Sequence, residues 1–256
     1  MGRELHHGFP ADGLPPGAIY LSCGSSAHTD IPDGYVDLVI TDPPFFDNVH
    51  YSELADFFHV WQELYFGKGK RRTSTTRHSD EVQDVDAAAF SEKLRAVFKE
   101  CNRVLRNGGR LVFSYHHSRE DGWSSISRAV LDSGFTMTQA HPVKSEMSVA
   151  APKSQAKEPI DLDIMIVCQK RTDDQRQLIP DAQAFHLAET HTREKVARFN
   201  RTRRRLSRND VRVILFSQLL VAISPGRESA AVEKVLNAWW EQAKGTVETV
   251  WRAQEI

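Results

Sequence analysis

The chain has 256 residues, of which 40% are hydrophobic and 26% are charged, as is typical of a globular protein with a real core. Its formal net charge of −1 means that any basic surface must be local, so bulk charge neither favours nor excludes nucleic-acid binding. The three scattered cysteines form no CxxC pair, which argues against a disulfide scaffold or a zinc ribbon and favours a reducing, cytoplasmic location.

The N-terminal part of the sequence leads to one strand with a clear pattern. Residues 1–17 are rich in glycine, proline and histidine and predict a flexible tail without the apolar segment of a signal peptide. The segment AIYLSC, residues 18–23, is a candidate short strand. The run YVDLVIT, residues 35–41, is almost continuously apolar and β-branched, which is typical of a strand buried on both faces of a parallel sheet.

The next segments alternate between helical and strand patterns. Residues 50–66 predict a helix and residues 67–84 a surface loop; the helix would carry an apolar stripe of Leu54, Phe57, Phe58, Trp61 and Leu64. Helical spacing recurs over residues 86–105, and we expect Gly108 and Gly109 to end that helix. A strand, a helix and two further strands are predicted over residues 110–117, 123–134, 135–143 and 162–170.

This alternation predicts an α/β fold whose sheet has an antiparallel edge strand. After residue 175 the pattern is helical, apart from the ambiguous run VRVILF at residues 211–216. We therefore expect a flexible tail at 1–17, an α/β domain at 18–175 and a helical region at 176–256. No apolar run approaches the length that spans a membrane.

An acid, two prolines and a phenylalanine follow the first apolar strand, at Asp42, Pro43, Pro44 and Phe45. In open α/β sheets, ligands sit outside the carboxyl ends of the strands. The Asp42 carboxylate and a proline carbonyl are acceptors suited to the two hydrogens of an amino group, and Phe45 offers a face on which a planar base can stack. A plain strand-terminating turn is the alternative interpretation.

The string TDPPF resembles motif IV of the amino-group S-adenosylmethionine-dependent methyltransferases. The longer string DGYVDLVITDPPFFDNVHYSELADFFHVW resembles large bacterial proteins known as adenine-specific DNA methylases. VLRNGGRLVFSYHH resembles the next helix, Gly-Gly and strand of that fold, and LSRNDVRVILFSQLLVAISPG resembles the C-terminal region of the group. The resemblance covers most of residues 18–226.

This resemblance implies the C-terminal half of a Rossmann-like class I methyltransferase sheet, with S-adenosyl-L-methionine as cofactor and DNA as partner. It implies methyl transfer to an exocyclic amine, in the first place adenine N6, with residues 42–45 as the catalytic amine pocket. N4 of cytosine, N2 of an RNA guanine, and an inactive DNA-binding or assembly fragment remain the alternatives. Gly24 and Ser25 would lie where the family lines the adenine of the cofactor.

One part of the family's pattern is not found in the sequence. A glycine-rich turn should follow a first strand, but the one G-x-G, residues 67–69, lies in a basic loop. Only about 17 residues precede the first candidate strand, which is too few for two strands and two helices. We therefore expect poor cofactor binding by this chain alone, a complementary methyltransferase half or other chain as partner, and a covered edge at YVDLVIT.

Further residues around the motif are predicted to contact substrate or DNA. They are Phe46, Asn48, His50, Tyr51, His116, Lys68, Lys70, Arg71 and Arg72. The lysines and arginines would grip phosphates beside a flipped base or else belong to a solvated loop. His116 and His117 end a strand and would line the cleft; with no Cys or acid at ligand spacing, we expect no metal. The arginine-rich segment 198–212 is either a DNA-tracking face or a salt-bridging helix.

Overall fold

A computed structural model describes residues 8–45, 51–66, 75–84, 86–145, 160–172 and 178–254. Its strands are β1 (Val36–Thr41), β2 (Leu105–Tyr115), β3 (Phe135–Lys144) and β4 (Leu162–Lys170). Its helices are α1 (Tyr51–Phe66), α2 (Ala87–Val104), α3 (Glu120–Asp132), α4 (Asp181–Arg201), α5 (Arg208–Ile223) and α6 (Ser229–Arg252).

The four strands form one mixed sheet in the order β1-β2-β4-β3. β1 and β2 pair in parallel, and β4 runs antiparallel to both of its neighbours. The predicted α/β class, with antiparallel pairing at one end of the sheet, is confirmed and is consistent with a Rossmann-like fold. The carboxyl ends of β1 and β2 and the amino end of β4 consequently meet at the same edge of the sheet.

The helices that contact the sheet pack on one of its faces. In β2 the alternate residues Leu111, Phe113 and Tyr115 are fully buried, whereas Val112 and Ser114 between them are half-buried. Helix α2 lies on the buried face, where the rings of Phe98 and Phe113 are 5.1 Å apart. Helix α5 is fixed to the same face at the far end of the sheet, since Ser224 directly after it hydrogen-bonds the backbone of Met137.

The edge position of β1 leaves apolar side chains in solvent. Leu38 and Ile40, on the face opposite the packed helices, are 47% and 68% exposed. The prediction that this strand is buried on both faces is therefore wrong. The reason is that β2 is the only described strand that pairs with β1, and none of the described helices lies over its outer side.

Helix α1 forms at the predicted place, but its apolar stripe does not pack on the sheet. Leu54, Phe57, Phe58, Trp61 and Leu64 are all between 58% and 70% exposed. Asp56 of the same helix accepts hydrogen bonds from the side chains of Thr75 and Thr76, which ties the helix to the segment after it. Within the described residues, this helix presents a largely apolar surface to solvent.

Two predicted boundaries are corrected by the structure. The candidate strand at residues 18–23 is an irregular segment in which Ile19 and Leu21 are 84% and 87% exposed, because no described strand pairs with it. Helix α2 ends at Val104 rather than at the glycines, because Leu105 already pairs with Val36. Gly109 lies inside β2, where a Cβ would come within 3.0 Å of the Asp37 carbonyl oxygen, so glycine allows the close approach of β1.

The C-terminal helices share a hydrophobic core with the sheet. The ambiguous run VRVILF belongs to α5, whose buried residues point in every direction because the helix is enclosed by α4, α6 and the sheet. The helix begins with a capping box in which Ser207 and Asp210 bond each other's backbone amides. Trp240 and Phe216 join α6 to α5 with ring centroids 4.7 Å apart. The domain boundaries at residues 17 and 175 stay predictions.

Candidate active site

A cavity of about 650 Å³ lies at the carboxyl end of β1. Its walls come from the ends of all four strands and from the start of α1, and they include Asp42, Phe45, Tyr51, Ser114, His116, Lys144 and Asp163. Residues that are far apart in sequence converge here because β1 and β2 end where β4 begins. This is the position in which open α/β sheets bind their ligands.

Asp42 lies directly after β1, exposed at the rim of the cavity. The hydroxyl of Ser114 donates a hydrogen bond to Oδ1 of Asp42, which fixes one oxygen of the carboxylate. An ionised carboxylate has further acceptor capacity on both oxygens, so it can still accept the hydrogens of a ligand amine. Pro43 is buried next to it and fixes the backbone torsion φ, which makes the turn after β1 rigid.

The Phe45 ring borders the same cavity and packs against the end of β2. Its centroid lies 5.6 Å from that of Tyr115 and 4.7 Å from that of His116, both in edge-to-face geometry. Tyr115 is itself held in place, since it is fully buried and its hydroxyl donates to the carbonyl oxygen of Gly122 over 2.8 Å. Burial raises the pKa of the Tyr115 hydroxyl, so this residue stays a neutral hydrogen-bond donor.

A hydrogen bond joins His116 and Asp163 on the wall of the cavity. The imidazole Nδ1 lies 2.6 Å from Oδ1 of Asp163, and the two side chains are 18% and 21% exposed. The neighbouring His117 is not part of the cavity wall, and burial lowers its pKa. Within the described part of the chain, no three His, Cys, Asp or Glu side chains are placed to hold a metal ion.

The predicted site residues divide into four groups. The structure brings Asp42, Phe45, Tyr51 and His116 to one cavity. Pro43 and Pro44 lie between Asp42 and Phe45, but they are not among the residues that line this cavity. Gly24 and Ser25 line a different cavity of about 760 Å³ between the N-terminal segment and α2, and the two cavities share no described lining residue. Outside the described residues lie Phe46, Asn48, His50, Lys68, Lys70, Arg71 and Arg72.

The basic segments flanking the site are partly used for internal contacts. Arg77 is exposed and forms ion pairs with Glu53 and Asp56 of α1, at 3.6 and 3.5 Å. In the segment 198–212, Arg208 bonds Glu248 over 2.7 Å and its guanidinium lies 3.8 Å from the centroid of the Trp251 ring. These contacts are typical of a salt-bridging helix, whereas Arg198 and Arg201 on the end of α4 remain exposed.

Sequence reasoning missed several polar residues of the cavity, among them Ser114, Lys144 and Asp163. Ser114 left a signal, because it is the one polar residue inside the apolar run of β2 that continues to Tyr115. Asp163 and Lys144 left none, since their place beside β2 depends on the antiparallel register of β4 and β3, which the sequence does not reveal.

No protein-family model matches the chain, and no curated protein matches it either. Two solved structures that match come from a Thermus thermophilus protein assigned as a DNA modification methylase. The selenomethionine derivative is 19% identical, with a TM-score of 0.28; 62% of this chain is covered, and this chain spans 57% of that one. The complex with S-adenosyl-L-methionine is 18% identical, with a TM-score of 0.31; the match covers 66% of this chain and 70% of that chain.

Both TM-scores are low, so function has to be argued from the cavity itself. The cavity is open to solvent, and an exposed carboxylate, an aromatic ring and polar side chains line it. This arrangement can hold a flat, polar ligand by its hydrogen-bonding edge and one face. In the described parts of the chain, no helix has the length and apolar character that crossing a membrane requires.

Proposed function

We propose that this chain provides the target-base pocket of a DNA methyltransferase that acts on an exocyclic amine, adenine N6 in the first place. In this proposal Asp42 and the carbonyl oxygen of Pro43 accept the two amine hydrogens. The ring of Phe45 stacks on the base, which must first leave the duplex. Stacking on an aromatic side chain contributes about 1–3 kcal/mol per base, which offsets much of the cost of unstacking.

The observation that carries the proposal is the geometry at the end of β1. The Asp42 carboxylate is held by Ser114, and the Phe45 ring stands in the same cavity. A carboxylate that only accepts hydrogen bonds selects a donor group, and an exocyclic amine is such a donor. Cytosine N4 presents the same two hydrogens, and the described wall contains nothing that discriminates against it.

S-adenosyl-L-methionine would supply the methyl group, but the described residues do not fit this cofactor. No glycine-rich turn follows a described strand, and Gly24 and Ser25 line a cavity separate from that of Asp42. We therefore assign to this chain the steps of binding and orienting the amine. The cofactor site itself belongs to another polypeptide segment.

The uncovered side of β1 supports this division of the enzyme. The outer edge of β1 has no described partner strand, and Leu38 and Ile40 are exposed beside it. We propose that the occupant is an α/β polypeptide that adds a strand parallel to β1 and covers these side chains. Such an addition satisfies the free backbone groups of the edge and places the new strand's carboxyl end beside Asp42.

Nucleoside binding tests the amine pocket independently of catalysis. Adenosine should bind the chain, and N6,N6-dimethyladenosine, which has no amine hydrogens, should bind at least about tenfold more weakly, because Asp42 loses its donors. In the Asp42→Ala variant the two ligands should bind equally. Nuclear magnetic resonance titration measures all four affinities. Equal affinity of the unmodified chain for both nucleosides would contradict the proposal.

A further inference from the structure

The Phe45 ring depends on its neighbours for its orientation. It lies four residues beyond the end of β1, outside regular secondary structure. Among the described residues, the rings that contact it are those of Tyr115 and His116, which are consecutive in the chain. A stacking platform works only when its plane is fixed before the base arrives, so whatever fixes these two rings also fixes the platform.

The two neighbouring rings are anchored by different means. Tyr115 is fully buried and is tied to α3 through the carbonyl oxygen of Gly122. His116 lies beyond the last residue of β2 and its side chain is 18% exposed, so burial alone does not fix its orientation. Its anchor is the carboxylate of Asp163, the second residue of β4, at 2.6 Å from Nδ1. A hydrogen bond to an ionised acceptor is short and directional, and it sets both the tautomer and the ring plane.

We propose that Asp163 is a positioning residue of the pocket, which holds His116 against Phe45 and thereby sets the plane on which the base stacks. Asp163 acts through His116 and does not need to touch the base. The contact between the rings is independent of the reaction, whereas the stacking of a base on Phe45 rests on the proposed function. If the contact between His116 and Asp163 only joined β4 to β2, its loss would destabilise the sheet without moving the Phe45 ring.

The first test observes the Phe45 ring directly. The chain is labelled with ¹³C in its phenylalanine rings, and the signal of Phe45 is identified by its loss in Phe45→Leu. Asp163→Leu and His116→Leu should both shift this signal, and Asp163→Asn, which keeps an acceptor oxygen, should restore most of the position in the unmodified chain. Asp121→Asn is the matched control, because Asp121 faces the adjacent His117 at 3.9 Å and does not touch Phe45. A Phe45 signal unmoved by either leucine variant would overturn the proposal.

A double-mutant cycle tests whether Asp163 acts through His116. His116→Phe keeps a ring against Phe45 but cannot bond Asp163, so adding Asp163→Leu to it should leave the Phe45 signal where it is. An equal shift on both backgrounds would show that Asp163 acts by another route and would overturn the proposal. Circular dichroism confirms that each variant folds, and Asp163→Ala serves in place of Asp163→Leu on both backgrounds if that variant does not.

Adenosine titration of the same variants separates this proposal from the proposed function. Asp163→Leu should weaken adenosine binding about two- to tenfold, the range expected for losing one aromatic edge contact. Asp163→Asn should stay within about twofold of the unmodified chain, because it keeps an acceptor for His116. If Phe45 moves in Asp163→Leu but the unmodified chain binds no adenosine, the positioning role stands and base binding fails. If adenosine binds and Asp163→Leu does not weaken it, the positioning role fails alone.

Discussion

At the scale of single residues, the Ser114 hydroxyl controls the direction of the Asp42 carboxylate. Ser114→Ala removes this donor and lets the exposed carboxylate rotate. We expect adenosine affinity to fall about three- to tenfold, as for the loss of one ordinary hydrogen bond, and Asp42→Ala to cost more. Ser26→Ala, on the wall of the separate cavity, is the control and should change nothing. Unchanged affinity in Ser114→Ala would show that Ser114 has no part in orienting Asp42.

The packing behind the cavity leaves no room for a side chain at Gly122. A Cβ built on this buried residue of α3 would lie 2.2 Å from Cγ of His117, and both residues lie beside Tyr115. We expect Gly122→Ala to lower the free energy of unfolding by about 1–3 kcal/mol, the usual cost of overpacking. Gly245→Ala in α6 meets nothing within 4 Å and should instead stabilise by about 0.5–1 kcal/mol. Urea denaturation measures both, and a neutral Gly122→Ala would contradict the tight packing.

Glu100 makes the free energy of unfolding depend on pH. The Arg103 guanidinium, with the backbone amide and hydroxyl of Thr29, holds the pKa of this carboxyl at about 2, below its ordinary value of 4.5. A carboxyl whose pKa is lower in the folded than in the unfolded state stabilises the fold at pH values above the unfolded-state pKa. This stabilisation is lost as the pH falls toward the folded-state pKa. Glu100→Gln should therefore cost about 1–3 kcal/mol at pH 7. The difference from the unmodified chain should disappear between pH 4.5 and pH 2, and a pH-independent difference would exclude this explanation.

At the scale of elements, the strands and helices with strong periodicity could be predicted from the sequence. β4 forms over the predicted residues 162–170, because an alternating apolar pattern faces one packed layer of helices. The run VRVILF could not be assigned, because an enclosed helix is apolar on every side and loses its period. The position of Gly109 inside β2 was equally hidden, since it depends on the backbone of β1 rather than on its own neighbours.

The edge strand β1 is the element whose behaviour is most open to test. Leu38→Lys with Ile40→Lys places two charges on exposed positions, so the free energy of unfolding should change by less than about 1 kcal/mol. Self-association should decrease, because charges on an edge strand oppose pairing with another chain. Sedimentation velocity measures this change. The control is Gln139→Lys with His141→Lys on the opposite edge strand β3, where both side chains are also exposed. A large loss of stability in the β1 variant would show that its outer face is covered within this chain.

At the scale of the whole molecule, the candidate site depends on connections that no local pattern contains. The motif at residues 42–45 was visible because its chemistry is continuous in sequence. Asp163 joins it only through the order β1-β2-β4-β3, which brings the start of β4 beside the end of β2. The core residues of the C-terminal helices are continuous with those beneath the sheet. The sequence therefore reveals the local motif of the site, whereas the residues that join it through long-range packing are visible only in the structure.

Methyl transfer to DNA shows whether this chain supplies the amine pocket of a methyltransferase. Unmethylated DNA and S-adenosyl-L-methionine with a labelled methyl group are incubated with this chain alone, with a cofactor-binding half of the methyltransferase group it resembles, and with both. We expect incorporation as N6-methyladenine only when both polypeptides are present, and none when Asp42→Ala replaces the unmodified chain. Equal incorporation with Asp42→Ala, or no incorporation although the two polypeptides form a complex that binds both cofactor and DNA, would contradict this expectation.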